Sequence, residues 1–263
     1  MEPEAKIKVM TVFGTRPEAI KMAPVILELA KYPDKIIPVV AVTAQHREML
    51  DQVLRLFRIR PAYDLNIMAE GQTLFDITER ALTGLDRVLT KEAPDLVLVH
   101  GDTTTTFAGA LAAFYHRTAV GHVEAGLRTR NKYSPFPEEM NRRLTGAIAD
   151  LHFAPTATSE KNLLAENVPA DNVFVTGNTV IDALRHTVRA DFSFAGILSD
   201  IDFKNHRIVL VTTHRRENLG EPMRHVYKAL RRLTEEFPDI EVVFPVHRNP
   251  KVREVVRQEL GDV

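Results

Sequence analysis

The feature that most constrains the fold is a regular alternation of short β-rich apolar runs with helical segments. It is clearest between Asp95 and Arg143. Leu96–Val99 is a short apolar run, followed by His100, Gly101 and Asp102. Ala119–Val123 is a second run and ends at Glu124. Between them Thr103–Tyr115 reads as a helix, opened by polar residues and carrying an Ala/Leu/Phe face. Strand, helix and strand in that span form a βαβ unit, so the two strands run parallel. Neighbouring parallel strands lie about 4.8 Å apart. Asp102 and Glu124 therefore both follow carboxyl ends of strands, where open α/β sheets bind ligands. Two carboxylates at such an edge suit acid–base work. For Asp102 the alternative is a simple cap on the Thr103 helix. Glu124, followed by Ala-Gly-Leu-Arg, has no such alternative.

The same alternation runs through the chain. Ile7–Phe13 reads as the first strand and stops at Gly14. Thr15 then fits a helix cap, with Pro17 in the first turn and Glu18 at the third helical position. Gly14 permits a sharp turn, and the open N–H groups of the new helix favour an anion. Arg16 and Lys21 add positive charge there, so the turn is a candidate phosphate or diphosphate site; a plain βα turn with a surface Arg is the alternative. Neither GxGxxG nor GxxxxGK[ST] occurs, which removes the dinucleotide fingerprint and the P-loop. Pro24 is expected to split the helix into a short turn and a longer piece through Lys31. Ile36–Thr43 is a second strand, and Gln45 and His46 follow it at the edge that holds Arg16. Glu48–Phe57 and Thr73–Thr90 read as helices, with a short strand-like piece at Tyr63–Ile67. Pro137 opens a helix that continues through Met140–Ile148. Glu138 and Glu139 fall in its first turn, where the helix dipole favours acids, so one of them can be purely structural. Strands at Leu151–Ala154 and Val173–Thr176 alternate with helices ending at Glu166 and spanning Val180–Arg189. The pattern predicts an α/β doubly wound parallel sheet over residues 1–190.

Asp191–Asn205 is polar and irregular and reads as a hinge into a second domain, residues 191–263. Strands Arg207–Thr212 and Ile240–Val246 alternate there with helices Glu221–Phe237 and Lys251–Leu260. Two strands and two helices are too few for an open doubly wound sheet. The expectation is an incomplete Rossmann-like domain, completed by a longer protein or by another chain.

Composition narrows the function classes. The 263 residues carry a net charge of -1 with no long basic block, so nucleic acid is not the default partner. There are no cysteines, which excludes disulfides, thiol nucleophiles and cysteine-based zinc sites and is compatible with a cytoplasmic location. No apolar run approaches the length of a membrane span, and the acidic, polar start at Met1 does not read as a signal peptide.

Seven segments occur together and in order: GTRPEAIKMAP (14–24), TAQHREMLDQV (43–53), HGDTTTT (100–106), VGHVEAGLRT (120–129), PFPEEMNRRLTG (135–146), TGNTVIDAL (176–184) and THRRENLGEPM (213–223). The chain resembles the bacterial non-hydrolysing UDP-N-acetylglucosamine 2-epimerases over nearly its whole length. The resemblance implies a GT-B fold, with an active site between two Rossmann-like domains and no cofactor. It implies interconversion of UDP-GlcNAc and UDP-ManNAc for surface polysaccharides, in a protein that is usually a homodimer. Asp102, Glu124 and Glu138 match the family's catalytic carboxylates, and His214 a further acid–base or diphosphate partner. Arg16, Lys21, Arg215 and Asn218 match substrate-binding positions. Gln45, Gln72, Glu138, Arg215 and His247 match a second, allosteric UDP-GlcNAc site, where Glu48 and Gly71 depart from the expected Gln and Arg. The family's second-domain Ser-Gly-Gly-x-x-Glu-Glu and Arg-Pro-Glu nucleotide segments do not occur in residues 191–263, so low activity is expected of these 263 residues alone.

The implied chemistry explains the residue set. The C2–H of a sugar without an adjacent carbonyl is not acidic. Expelling UDP to give a 2-acetamidoglucal, then re-adding it, needs a base, an acid on the other face, and cations for the diphosphate. Rival readings are a GT-B glycosyltransferase, a hydrolysing relative that releases ManNAc, and a non-catalytic sugar-nucleotide-binding fragment. A metal-dependent hydrolase using His100, Asp102, His122 and Glu124 is a fourth, although the expected metal content is none.

Overall fold

Strands buried on both faces need apolar side chains on both, and this is why the strands read as unbroken apolar runs. In the computed structural model, which describes residues 5–44, 47–213, 218–247 and 249–261, the chain divides into two units, Met1–Val188 and Arg189–Val263. The first is built on a sheet of seven strands: β1 (Ile7–Phe13), β2 (Ile36–Val42), β3 (Tyr63–Asp64), β4 (Leu96–His100), β5 (Ala119–Val123), β6 (Leu151–Ala154) and β7 (Val173–Val175). Their order is β3-β2-β1-β4-β5-β6-β7, and every pairing is parallel. The α/β doubly wound class expected from the sequence is therefore the observed one.

Helices α1 (Arg16–Leu29), α2 (Arg47–Leu56), α3 (Leu74–Glu92), α4 (Thr104–Tyr115), α5 (Glu138–Ile148), α6 (Ala157–Ala165) and α7 (Val180–Thr187) complete this unit. Alternate β1 residues feed two cores. Val9 and Phe13 pack with Met22 and Ile26 of α1 and Leu50 of α2. Met10 and Val12 pack with Leu85 and Val88 of α3 and Ala110 of α4. The strand order reverses between β1 and β4, and the crevice at that switch point is where open sheets of this kind take ligands.

Three local expectations change. Pro24 does not split its helix: α1 is continuous from Arg16 to Leu29 with Pro24 inside it. The flanking Met22, Ala23 and Ile26 are buried, and their packing outweighs the one hydrogen bond that Pro24 cannot make. The piece expected at Tyr63–Ile67 is a strand only at Tyr63–Asp64, because Asn66 is left-handed at φ 46° and breaks the extended chain. The helix ending in Leu56 begins at Arg47, one residue earlier than the sequence suggested.

In the second unit β8 (Arg207–Leu210) and β9 (Ile240–Val243) form a parallel pair. They are accompanied by α8 (Glu221–Glu236) and α9 (Pro250–Leu260). Met223 and Tyr227 of α8 pack on Val252 and Val255 of α9. Among the described residues no helix is long and apolar enough to cross a membrane.

Candidate active site

The β1–α1 turn is tightly packed. A Cβ on Gly14 would lie 2.0 Å from Thr43 Oγ1 and 2.7 Å from Thr105 Oγ1, so only glycine fits there. Glu18 stands at the third position of α1, and its carboxylate accepts from the N–H groups of Gly14 (3.1 Å) and Thr15 (2.8 Å). Arg16, the first residue of α1, is exposed. One helical turn beyond it Lys21 points back to the sheet edge.

Lys21 meets Glu124. Its Nζ donates to both carboxylate oxygens, at 2.7 and 2.6 Å. Asn178, in the turn between β7 and α7, donates through Nδ2 to Glu124 Oε2 at 2.7 Å. Three separate parts of the chain thus converge on one carboxylate. Glu124 follows β5 directly and sits in the left-handed region at φ 65°. A residue with a side chain in that region is strained, and such strain concentrates at functional sites.

Asp102 leaves β4 through Gly101, which is left-handed at φ 71°. Its Oδ2 accepts from Arg142 Nη2 at 2.6 Å, and its backbone carbonyl accepts from Asn141 Nδ2 at 2.9 Å. The capping alternative for Asp102 is corrected here: Thr103 is the cap of α4, its Oγ1 accepting from Thr106 N at 3.1 Å. That leaves the Asp102 side chain to Arg142. In the register of β4 and β5, Val99 pairs with His122 and His100 with Val123, so Asp102 and Glu124 emerge from neighbouring strand ends.

The two acids of α5 separate into different roles. Glu139 is fully buried. It accepts from the N–H groups of Thr129 and Arg130, each at 3.0 Å, and from Arg142 Nη1 at 3.2 Å. Burial opposes its charge, but the Thr129 and Arg130 N–H groups and the Arg142 guanidinium overcome that and hold its carboxyl below the ordinary range. Glu139 is the structural acid. Glu138 keeps one carboxylate oxygen, Oε2, buried without a hydrogen-bond partner among the described residues. Glu138 and Arg142 are four apart, hence on one helix face, and Arg142 reaches Asp102.

Two histidines of the rival metal set turn inward. His122 is buried and donates through Nε2 to the carbonyl of Gly101 at 2.7 Å, supporting the Asp102 turn. His100 is also buried, with Nε2 3.9 Å from Glu124 Oε2 and neither ring nitrogen hydrogen-bonded. Among the described residues no group of three or more His, Asp or Glu could hold a metal ion. Burial pushes both imidazoles down to about 3, with the Lys21 charge adding to the effect at His100. An unfolded histidine titrates near 6.5, so between about pH 6.5 and 3 the unfolded chain binds protons that the native one refuses. The stability these groups contribute is complete above about pH 6.5. It is lost as the pH falls, at up to about 1.4 kcal/mol per pH unit for each histidine. Urea unfolding near pH 7.5 and near pH 5 is expected to show the midpoint falling in acid, and His122→Asn is expected to flatten that fall. An equal pH dependence in the variant would contradict the assignment.

The remaining sequence candidates are more scattered. Gln72 accepts through Oε1 from Ala69 N at 3.1 Å, Glu48 is exposed on α2, and Gly71 is exposed at φ 68°. Asn218 is exposed in the second unit, and there His247 accepts through Nδ1 from Asn249 N at 3.1 Å. Gln45, His46, His214 and Arg215 lie outside the described residues. Residue-by-residue reading did not single out Arg142, Asn141 or Asn178. The first had a readable signal: its i+4 spacing from Glu138 on one helix.

The fold and the site define the class: an α/β enzyme with carboxylates and cations gathered at the carboxyl edge of a doubly wound sheet. The family model for UDP-N-acetylglucosamine 2-epimerase matches residues 10–263. The UDP-N-acetylglucosamine 2-epimerase of Bacillus subtilis (strain 168) is 64% identical over 257 residues, covering 98% of this chain and 67% of its own. The crystal structure of the UDP-GlcNAc 2-epimerase of Neisseria meningitidis bound to UDP-GlcNAc superposes with a TM-score of 0.83 at 50% identity, covering 98% of this chain and 70% of that one. The Methanocaldococcus jannaschii enzyme in complex with UDP-GlcNAc and UDP gives 0.71 at 32% identity, over 96% of this chain and 68% of its own. The chain belongs to the UDP-N-acetylglucosamine 2-epimerase family. It spans about two thirds of the length of these relatives.

Proposed function

We propose that this site inverts C2 of UDP-GlcNAc to give UDP-ManNAc, by anti-elimination of UDP and its re-addition to a 2-acetamidoglucal. A base takes the C2 proton, the C1–O bond breaks with its electron pair leaving on UDP, and the return step delivers a proton to the other face of C2. The observation that carries this reading is the pair Asp102 and Glu124. They stand at neighbouring strand ends, and each is held by its own cation, Arg142 or Lys21. In this reading the two are the candidate proton acceptors. Glu138, with an oxygen free of protein partners among the described residues, is the third carboxyl and the donor in the return step. General acid–base help of this kind is worth about 10²–10⁴-fold per group.

Under the same reading Arg16, Lys21, Arg215 and Asn218 bind the substrate, and His214 is a further acid–base or diphosphate partner. Gln45, Gln72, Glu138, Arg215 and His247 take a second UDP-GlcNAc as activator. Glu48 and Gly71, in place of the Gln and Arg expected there, weaken that second site. The resemblance further implies a cytoplasmic homodimer.

The test is incubation of the chain, and of a version extended to the relatives' full length, with UDP-GlcNAc, followed by proton NMR. Appearance of UDP-ManNAc at equilibrium supports the reading. Free ManNAc would point to a hydrolysing enzyme instead, and turnover that needs an added sugar acceptor would point to a glycosyltransferase.

A further inference from the structure

We propose that Glu18 is a positioning residue for Asp102: one buried carboxylate fastens the β1–α1 turn to the β4–α4 turn across the switch point of the sheet. The proposal rests on the reading of Asp102 as a catalytic carboxylate.

As a helix residue Glu18 needs to serve only its own turn, where the N–H groups of Gly14 and Thr15 both donate to Oε2. Its other oxygen looks elsewhere. Oε1 accepts from Thr103 Oγ1 at 2.8 Å and lies 3.2 Å from Thr106 Oγ1, residues 85 and 88 positions further along the chain. Thr103 follows Asp102 directly and caps α4. Thr106 Oγ1 also lies 2.5 Å from the carbonyl of His100, two residues before Asp102. Glu18 thus grips the Asp102 turn through Thr103. Meanwhile the helix it belongs to carries Lys21 to Glu124. The turn that carries Asp102 and the helix that carries Lys21 thus share this one side chain, which is 2% exposed.

The donors and acceptors show which substitutions keep the grip. The Thr106 hydroxyl has one proton, and the His100 carbonyl, which can only accept, claims it. The Thr103 oxygen accepts from Thr106 N, leaving its own proton for Glu18. A glutamine closes the same network: its carbonyl takes the two N–H groups, and its amide donates to Thr103, whose proton turns to Thr106 Oγ1 at 3.1 Å. An aspartate still caps α1, as Asp76 does for α3 in this chain, but is one methylene too short to reach Thr103 as well.

The experiment measures kcat, KM and Tm of E18Q and E18D in the protein extended to its relatives' full length, alone and combined with D102N. Displacing a catalytic group by about 1 Å can cost about 10²-fold. E18D is expected to fold and lose about 10²-fold in kcat with KM little changed, and E18Q to stay near the wild-type rate. In the D102N background E18D is expected to cost little more, because the two residues act as a unit. Wild-type kcat in E18D overturns the proposal. So does a folded E18Q as slow as E18D, which would mean that the charge of Glu18 matters rather than its reach. So does an E18D penalty of equal size with and without Asp102. Near-normal turnover by D102N alone marks the failure of the catalytic reading itself, and with it the route by which Glu18 acts.

Discussion

Glu124→Gln is expected to lower kcat for C2 epimerisation at least about 10²-fold, the lower end of what one general acid or base contributes. The side chain keeps its length, so the fold is preserved, but its acceptor capacity is halved. Both oxygens of Glu124 now accept from Lys21, and one accepts from Asn178 as well. An amide turns one of these contacts into donor against donor. The same substitution removes the group able to take a proton at the end of β5. The backbone at Glu124 is left-handed at φ 65°, and a glutamine inherits that strain unchanged. The loss is therefore expected in kcat far more than in Tm. Asp102→Asn is expected to show a loss of the same order, since its Arg142 contact likewise requires an acceptor. Steady-state kinetics alongside thermal unfolding distinguish the cases. Near-normal turnover in a well-folded Glu124→Gln protein would remove Glu124 from the mechanism.

Arg142→Ala is expected to be the most damaging single change to stability near the site, at about 3 kcal/mol, because it removes a cation from two carboxylates at once. Arg142 Nη2 bonds Asp102 and Nη1 bonds the fully buried Glu139. Removing one partner of a buried pair leaves the other's charge uncompensated. Glu139 retains the two N–H groups of Thr129 and Arg130 and the Arg143 guanidinium at 3.5 Å, which limits the loss. Because the Glu139 carboxyl is held below its ordinary range, its contribution is present above about pH 4.3 and is lost as the pH falls through the lower folded value. The Arg142→Ala deficit is therefore expected to shrink in acid. Arg142→Lys is expected to recover only part of it, since an ammonium cannot present the planar fork that spans both carboxylates. Denaturant unfolding at neutral and acidic pH measures this. A deficit below about 0.5 kcal/mol, the range of ordinary surface substitutions, would show that the Asp102–Arg142–Glu139 chain is not a structural unit.

The sheet was legible because its strands are apolar on both faces, and β1, β4 and β5 announce themselves without help from the rest of the chain. Asp102 and Glu124 were legible because a βαβ unit places whatever follows its strands at one edge. The reading left alternatives open where one residue could serve two purposes. Asp102 competed with Thr103 for the cap, and local propensity could not rank an Asp against the Thr beside it; the arginine that decides the matter lies 40 positions away. Glu138 and Glu139 were equivalent by dipole arguments, and only the 129–130 turn folding back onto α5 tells them apart. Pro24 reads as a breaker because sequence shows the missing N–H but not the packing of Met22 and Ile26 that holds the helix. Glu18 shows the same limit in another form. Its role in its own helix follows from spacing, whereas its grip on Thr103 depends on a contact across the sheet.

The central claim is that carboxylates at the ends of β4 and β5, together with Glu138, remove and return a proton at C2. Running the reaction in deuterium oxide and locating the label in the product by NMR tests it most directly. The account predicts that UDP-ManNAc acquires one solvent deuterium at C2, and that this incorporation falls with kcat in Glu124→Gln. Product that keeps the original C2 hydrogen would contradict it.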